Sequence, residues 1–194
     1  METFILIGIT GIGLGALYFL VASGLSLIYG LMGVLNFAHG SFLSVGAFVG
    51  FWVASRLGPE TTMTDFILAM IVGGLAAGAF ALLIEQLLIT RLYDRHIDQA
   101  LVTVGVSLVV GAVLGGWFGN DLIMFPTPLW FLTAVNIGGA MIPADRIVYI
   151  ATAVLLLIAN WALLKFTRIG LIIRAGVENR NMVNALGINV RRAF

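Results

Sequence analysis

Asn36, His39 and Ser41 lie within residues 3–55, a stretch that holds no Asp, Glu, Lys or Arg. An amide, an imidazole and a hydroxyl so placed offer three kinds of chemistry. They can hydrogen-bond a polar solute along a path, the imidazole can handle protons near neutral pH, or a serine activated by a base can act as a nucleophile. Asn36 and His39 are three positions apart, which on a helix puts them on one face. Tyr29, Ser44, Thr103 and Ser107 are further polar groups set in apolar surroundings, and they complete the set of translocation-path candidates. The plainer role for each is to cap or cross-link helices through hydrogen bonds, worth about 0.6–2 kcal/mol apiece in a membrane.

The catalytic options are the weakest of the three. Ser23, Ser26 and Ser41 supply hydroxyls and His39 a base, yet Ser23 lacks a glycine two positions earlier, as a GxSG motif needs, and no HExxH stretch occurs. The chain has no cysteine, and its two histidines stand 57 positions apart, so neither a thiolate nor a protein-built metal site is expected. No enzymatic activity and no cofactor are expected of this chain.

Composition dictates the elements that must hold these residues. With 61% hydrophobic and 10% charged residues and a mean hydropathy of +1.10, the chain is an integral membrane protein, far from the roughly one-quarter charged content of soluble domains. A net charge of +1 gives no footing for nucleic acid. About 20 apolar residues cross a bilayer core as a helix. The charge-free windows read as spanning are 3–55, 66–84, 99–120 and 147–164, and the first is long enough for two crossings, near 4–29 and 36–55. The expected fold is therefore all-α: a polytopic helical membrane bundle of about five spans. Gly30 and Gly33 should loosen the chain, leaving a broken or re-entrant segment over residues 30–40. Glu2 and the length of the first apolar run argue against a cleaved signal peptide.

Basic residues set the orientation. Eight of the ten Lys and Arg residues, Arg91, Arg95, Lys165, Arg168, Arg174, Arg180, Arg191 and Arg192, fall on one side, which is read as cytoplasmic. By parity the N-terminus lies outside. Four GxxxG pairs, Gly11/Gly15, Gly46/Gly50, Gly74/Gly78 and Gly111/Gly115, predict close helix packing. The outer loop, residues 119–146, carries Pro126, Pro128, Pro143 and an AVNIGGAMIP stretch that reads as a turn at Gly138 and Gly139 between two extended pieces. It is expected to form a lid, with Trp117, Trp130 and Tyr149 in the aromatic belt. Residues 165–194 are basic, with helix formers over 171–186 and a stop at Gly187, and fit either a surface-bound helix or a docking element.

Two stretches carry a family resemblance. YGLMGVLNFAHGSFLSVGAF, residues 29–48, is similar to the signature of permease subunits of branched-chain amino-acid ABC importers. TRIGLIIRAGVENRNMVNALGIN, residues 167–189, resembles their cytoplasmic coupling loop. The likeness runs over essentially the whole chain and is nearest to the smaller of the two permeases. It implies a single transmembrane permease domain over residues 1–194, moving leucine, isoleucine, valine or related small solutes inward across a bacterial or archaeal cytoplasmic (inner) membrane. Urea or short amides are alternative cargoes, and an ion-coupled secondary transporter or channel is the alternative class. The implied partners are a second permease subunit, cytoplasmic ATP-binding subunits that hold ATP and Mg, a periplasmic substrate-binding protein and the lipid bilayer. The implied coupling contact comprises Arg174, Ala175, Glu178, Asn179, Ala185, Leu186 and Gly187. Family members carry further spans after this loop, so a C-terminal truncation is expected.

Overall fold

The computed structural model describes residues 2–32, 36–57, 61–92, 95–119, 121–178 and 183. Five helices in it are long and apolar enough to cross a membrane. They are α1 (Glu2–Met32), α2 (His39–Leu57), α3 (Met63–Ile84), α4 (His96–Phe118) and α5 (Ala144–Phe166), with a short α6 (Arg168–Glu178) after them. The five expected spans are all present. Their edges differ in two instructive ways. Helix α1 runs through Gly30 to Met32, Gly33 lies outside the described residues, and the described residues between α1 and α2 that are not helical are 36–38. Helix α5 starts three residues before the apolar window and so takes Asp145 and Arg146 into the spanning helix.

The chain packs as two units. The first holds α2, α3, α4 and the 3₁₀ turn Leu129–Leu132. Helix α3 begins with a capping box: Thr62 accepts from the Asp65 amide, and the Asp65 carboxylate accepts from the Thr62 amide, so two otherwise orphaned donors are paired. At its far end α3 widens into a π-helical turn, Glu85–Ile89, where the Thr90 hydroxyl donates to the Glu85 carbonyl at 2.9 Å. A 3₁₀ turn at Thr90–Leu92 follows.

Helices α2 and α3 meet backbone to backbone. A Cβ placed on Gly73 would stand 2.5 Å from the Gly46 carbonyl oxygen, and one on Gly46 would stand 2.9 Å from the Gly73 carbonyl oxygen. Gly50 faces Ala69 in the same seam, and Ala77 lies against Gly46. The Gly46/Gly50 pair therefore works as its spacing predicts, against Ala69, Gly73 and Ala77, a small residue on every turn of α3. Phe42 and Phe80 close the seam edge to face at 5.8 Å. The other predicted glycine contacts are corrected: among the described residues nothing lies within 4 Å of a Cβ added at Gly11, Gly15, Gly74, Gly78 or Gly111.

The second unit holds α1, a β-hairpin, α5 and α6. Strands β1 (Ala134–Ile137) and β2 (Ala140–Pro143) pair antiparallel, Ala134 opposite Pro143 and Ile137 opposite Ala140. Gly138 and Gly139 turn the chain with φ of +59° and +88°, the two left-handed positions that a tight hairpin turn demands. The Asn136 side-chain oxygen accepts from the Gly139 amide at 3.0 Å. The turn predicted inside AVNIGGAMIP is thus present. Ala140 and Ile142 are buried and alternate with exposed Met141. The hairpin tip rests on the first turns of α1, Gly138 by Ile5 and Gly139 by Glu2.

Thr167 joins α5 to α6 and caps both. Its hydroxyl donates to the Leu163 carbonyl at 2.6 Å and accepts from the Gly170 amide at 3.0 Å. A Cβ on Gly170 would collide with the Leu163 and Leu164 backbone, so the corner requires glycine. The predicted helix over 171–186 starts earlier, at Arg168, because Thr167 supplies the cap.

The α2–α3 seam should show in stability. Gly73→Ala is expected to lower the stability of the purified chain in detergent by about 1–3 kcal/mol through overpacking. Gly74→Ala, one residue on, should shift it by no more than about 0.5 kcal/mol. Equal melting temperatures for the two variants would refute the seam.

Candidate functional site

The departure from helix at residues 36–38 is built from its own polar groups and one residue of α4. The Asn36 side-chain oxygen accepts from the Ala38 amide at 3.0 Å, and the Asn36 carbonyl accepts from the His39 amide at 3.3 Å. The Phe37 amide donates to the Thr103 hydroxyl at 3.2 Å, 66 residues away in sequence. Thr103 in turn donates to the Ala100 carbonyl at 2.9 Å. The Ala38 carbonyl accepts from the Phe42 amide at 3.1 Å and opens α2. Asn36, Ala38 and Thr103 are all buried, at 8%, 0% and 0% exposure. The bonds to the Phe37, Ala38 and His39 amides pair backbone groups that the break in the helix would otherwise leave orphaned.

This corrects one expectation. Asn36 and His39 do not share a helical face, since Asn36 precedes the helix and closes a side-chain turn onto Ala38. The amide competes with helix by bonding its own backbone, which is the usual behaviour of Asn outside helices. His39 opens α2 and is half-buried, as are Ser41 and Ser44. The Ser44 hydroxyl donates to the Gly40 carbonyl at 3.1 Å, and that of Ser107 to the Val104 carbonyl at 2.8 Å. Asn36 and Thr103 are brought together; Ser44 and Ser107 bond within their own helices. Tyr29 belongs to the other unit and is exposed on α1. Ser23, from the hydrolase alternative, donates to the Leu20 carbonyl at 3.0 Å.

Gln99 is a residue that the sequence reading passed over. It sits one turn before Thr103 on α4, is only 2% exposed, and its Nε2 has no hydrogen-bond partner among the described residues. A buried amide donor left open is costly. Its signal in the sequence was a glutamine four positions from Thr103 at the edge of an apolar window.

The α1–α5–α6 unit carries those described residues that the resemblance assigns to a coupling contact. Ser26, Leu27, Gly30, Leu164, Arg174 and Val177 line a groove of about 300 Å³. On α6, Gly170, Ile173 and Gly176 are buried while Leu171, Arg174, Val177 and Glu178 are exposed, and Ala175 is half-buried. Asn179, Ala185, Leu186 and Gly187 lie outside the described residues. Among the described residues no group of three or more His, Cys, Asp or Glu could hold a metal ion.

Thr103→Val leaves the part-buried Phe37 amide without its acceptor, and a loss of about 1 kcal/mol in thermal unfolding is expected. Asn36→Ala should cost about 1 kcal/mol. Both act on one turn, so their combined effect should fall short of the sum. Strict additivity would break the link between them.

The family described as branched-chain amino acid transport system / permease component matches residues 7–194. The high-affinity branched-chain amino acid transport system permease protein LivH of Salmonella typhimurium is 26% identical over 192 residues, 95% of this chain and 62% of its own length. The corresponding BraD protein of Pseudomonas aeruginosa is 24% identical over 189 residues, 93% and 61% of the two chains. A probable LivH of Methanocaldococcus jannaschii is 28% identical over 179 residues, 89% and 55%. The chain thus spans a little over half to about three-fifths of the length of these relatives. No solved structure matches it. With a match that takes in both the buried turn before α2 and the α5–α6 corner, this chain belongs to the family of branched-chain amino acid transport permease components.

Proposed function

We propose that this chain is the membrane-spanning part of an ATP-driven importer permease for branched-chain amino acids. The observation that carries the reading is the family match over residues 7–194, laid on five helices fit to cross a bilayer. A zwitterion crossing a membrane needs a polar path whose binding is weak enough for release. Tyr29, Asn36, His39, Ser41, Ser44, Thr103 and Ser107 are the residues we assign to that path, with Asn36 and Thr103 shaping its turn.

Energy comes from outside the chain. In this reading cytoplasmic ATP-binding subunits hold ATP and Mg, and their closure acts on Arg174, Ala175, Glu178, Asn179, Ala185, Leu186 and Gly187. A second permease subunit completes the path, and a periplasmic binding protein presents the amino acid at the outer face of the inner membrane. The α5–α6 corner at Thr167 and Gly170 supports this division of labour, because it ties the exposed Arg174 and Glu178 of α6 to the end of a spanning helix.

Proteoliposomes carrying the full transporter are expected to take up leucine only with ATP on the ATPase side. Glu178→Arg or Gly187→Val should cut uptake at least ten-fold while ATP hydrolysis continues. Uptake driven by an ion gradient without any ATPase subunit would replace this reading with a secondary transporter. Intact coupling in both variants would remove the contact from residues 174–187.

A further inference from the structure

Asp145 and Arg146 sit in the first turn of α5 and inside its membrane-crossing stretch. Two charged side chains in such a place are expensive and are kept for a reason. Their surroundings are specific. Arg146 lies across Gly13 of α1: a Cβ added there would stand 3.0 Å from Arg146 Cδ, 3.1 Å from its Cβ and 3.4 Å from its Cα. Gly13 is eleven residues along from Glu2, which is about 16 Å at 1.5 Å per residue. The hairpin rests beside the first turns of α1, at Glu2 and Ile5. The pair is therefore recessed well below the end of α1.

The two side chains pair poorly with each other. Arg146 Nη1 stands 3.9 Å from Asp145 Oδ2, where a well-formed charge-assisted bond is about 2.7–2.9 Å. Arg146 Nε and Asp145 Oδ1 are buried and have no hydrogen-bond partner among the described residues. The guanidinium is 5.9 Å from the Tyr149 ring, a contact at the outer limit for a cation and an aromatic face. Yet the pair is not sealed, with side chains 28% and 25% exposed. A structural ion pair closing a helix contact would use these open positions on itself.

We propose that Asp145 and Arg146 form a recognition site for the main-chain groups of a free α-amino acid. The guanidinium donates to the substrate carboxylate, and the Asp145 carboxylate accepts from the substrate ammonium. Charge complementarity is complete, since a neutral pair meets a zwitterion and no net charge enters the membrane. Arg suits the carboxylate because its planar fork can give two parallel donors. The site reads only what all α-amino acids share, which leaves the side chain to be chosen elsewhere. This inference rests on the transporter reading above and assigns it a binding site.

The test is binding of tritiated leucine to the full chain purified in its transporter complex, without soluble binding protein, competed by leucinamide and by 4-methylpentanoate. Leucinamide lacks the carboxylate and 4-methylpentanoate the ammonium. The wild type should prefer leucine over either by at least ten-fold. Arg146→Gln should weaken leucine at least ten-fold and leave leucinamide unchanged. Asp145→Asn should weaken leucine likewise and leave 4-methylpentanoate unchanged. Arg146→Lys keeps the charge and the stem over Gly13, and supplies the same selectivity readout if the glutamine variant does not assemble. Leucine affinity within two-fold of wild type in Arg146→Gln and Asp145→Asn overturns the site, as does equal weakening of leucine and both analogues in either, the mark of a merely structural pair. A wild-type complex that neither binds nor takes up any amino acid overturns the transporter reading itself.

Discussion

A chain that leaves the helix in an apolar setting must find partners for the peptide groups it frees, and the turn at residues 36–38 shows how this one does so. The Asn36 side chain, the Asn36 carbonyl and the Thr103 hydroxyl take up the amides of Ala38, His39 and Phe37 in turn. Lipid offers no water to do this. Because one of the three partners sits on α4, the turn can exist only when α2 and α4 are already together. That one bonded knot marks where α2 begins, seven residues before Gly46 enters the seam with α3.

The α2–α3 seam solves a different problem. Helices in lipid gain little from burying apolar side chains against each other, so close packing must carry the association. Ala69, Gly73 and Ala77 present a flat strip on which the carbonyls of α2 can lie. Spacing in the sequence was a fair guide to this seam and a poor one elsewhere. GxxxG says that a helix has a flat strip, and not which neighbour uses it. Gly11, Gly15, Gly74, Gly78 and Gly111 carry the same spacing and meet nothing among the described residues.

The sequence was legible where a single local rule decides the outcome. Charge-free windows of bilayer length, with the proline-bearing stretch 122–144 set aside, found the five spans, and paired glycines between extended residues found the hairpin turn. It was less legible where a side chain bonds its own backbone or a distant one. Asn36 looked like a member of a helical face until its turn onto Ala38 was seen, and Thr103 reaches the turn across 66 residues. Gln99 carried no motif. Asp145 and Arg146 were read as loop residues because charge ended the apolar window, whereas the helix begins one residue before them.

The corner at Thr167 has a mechanical consequence. Its single side chain bonds α5 on one side and α6 on the other, and Gly170 lets the two backbones touch, so the joint has little freedom to flex. Helix α5 is then a rod of 23 residues clamped at one end, about 34 Å long at 1.5 Å per residue. A tilt of about 5° imposed at the clamp sweeps the opposite end through about 3 Å over that length, the width of a hydrogen bond. A small push on α6 is enough of a lever to make or break contacts at the far end of α5.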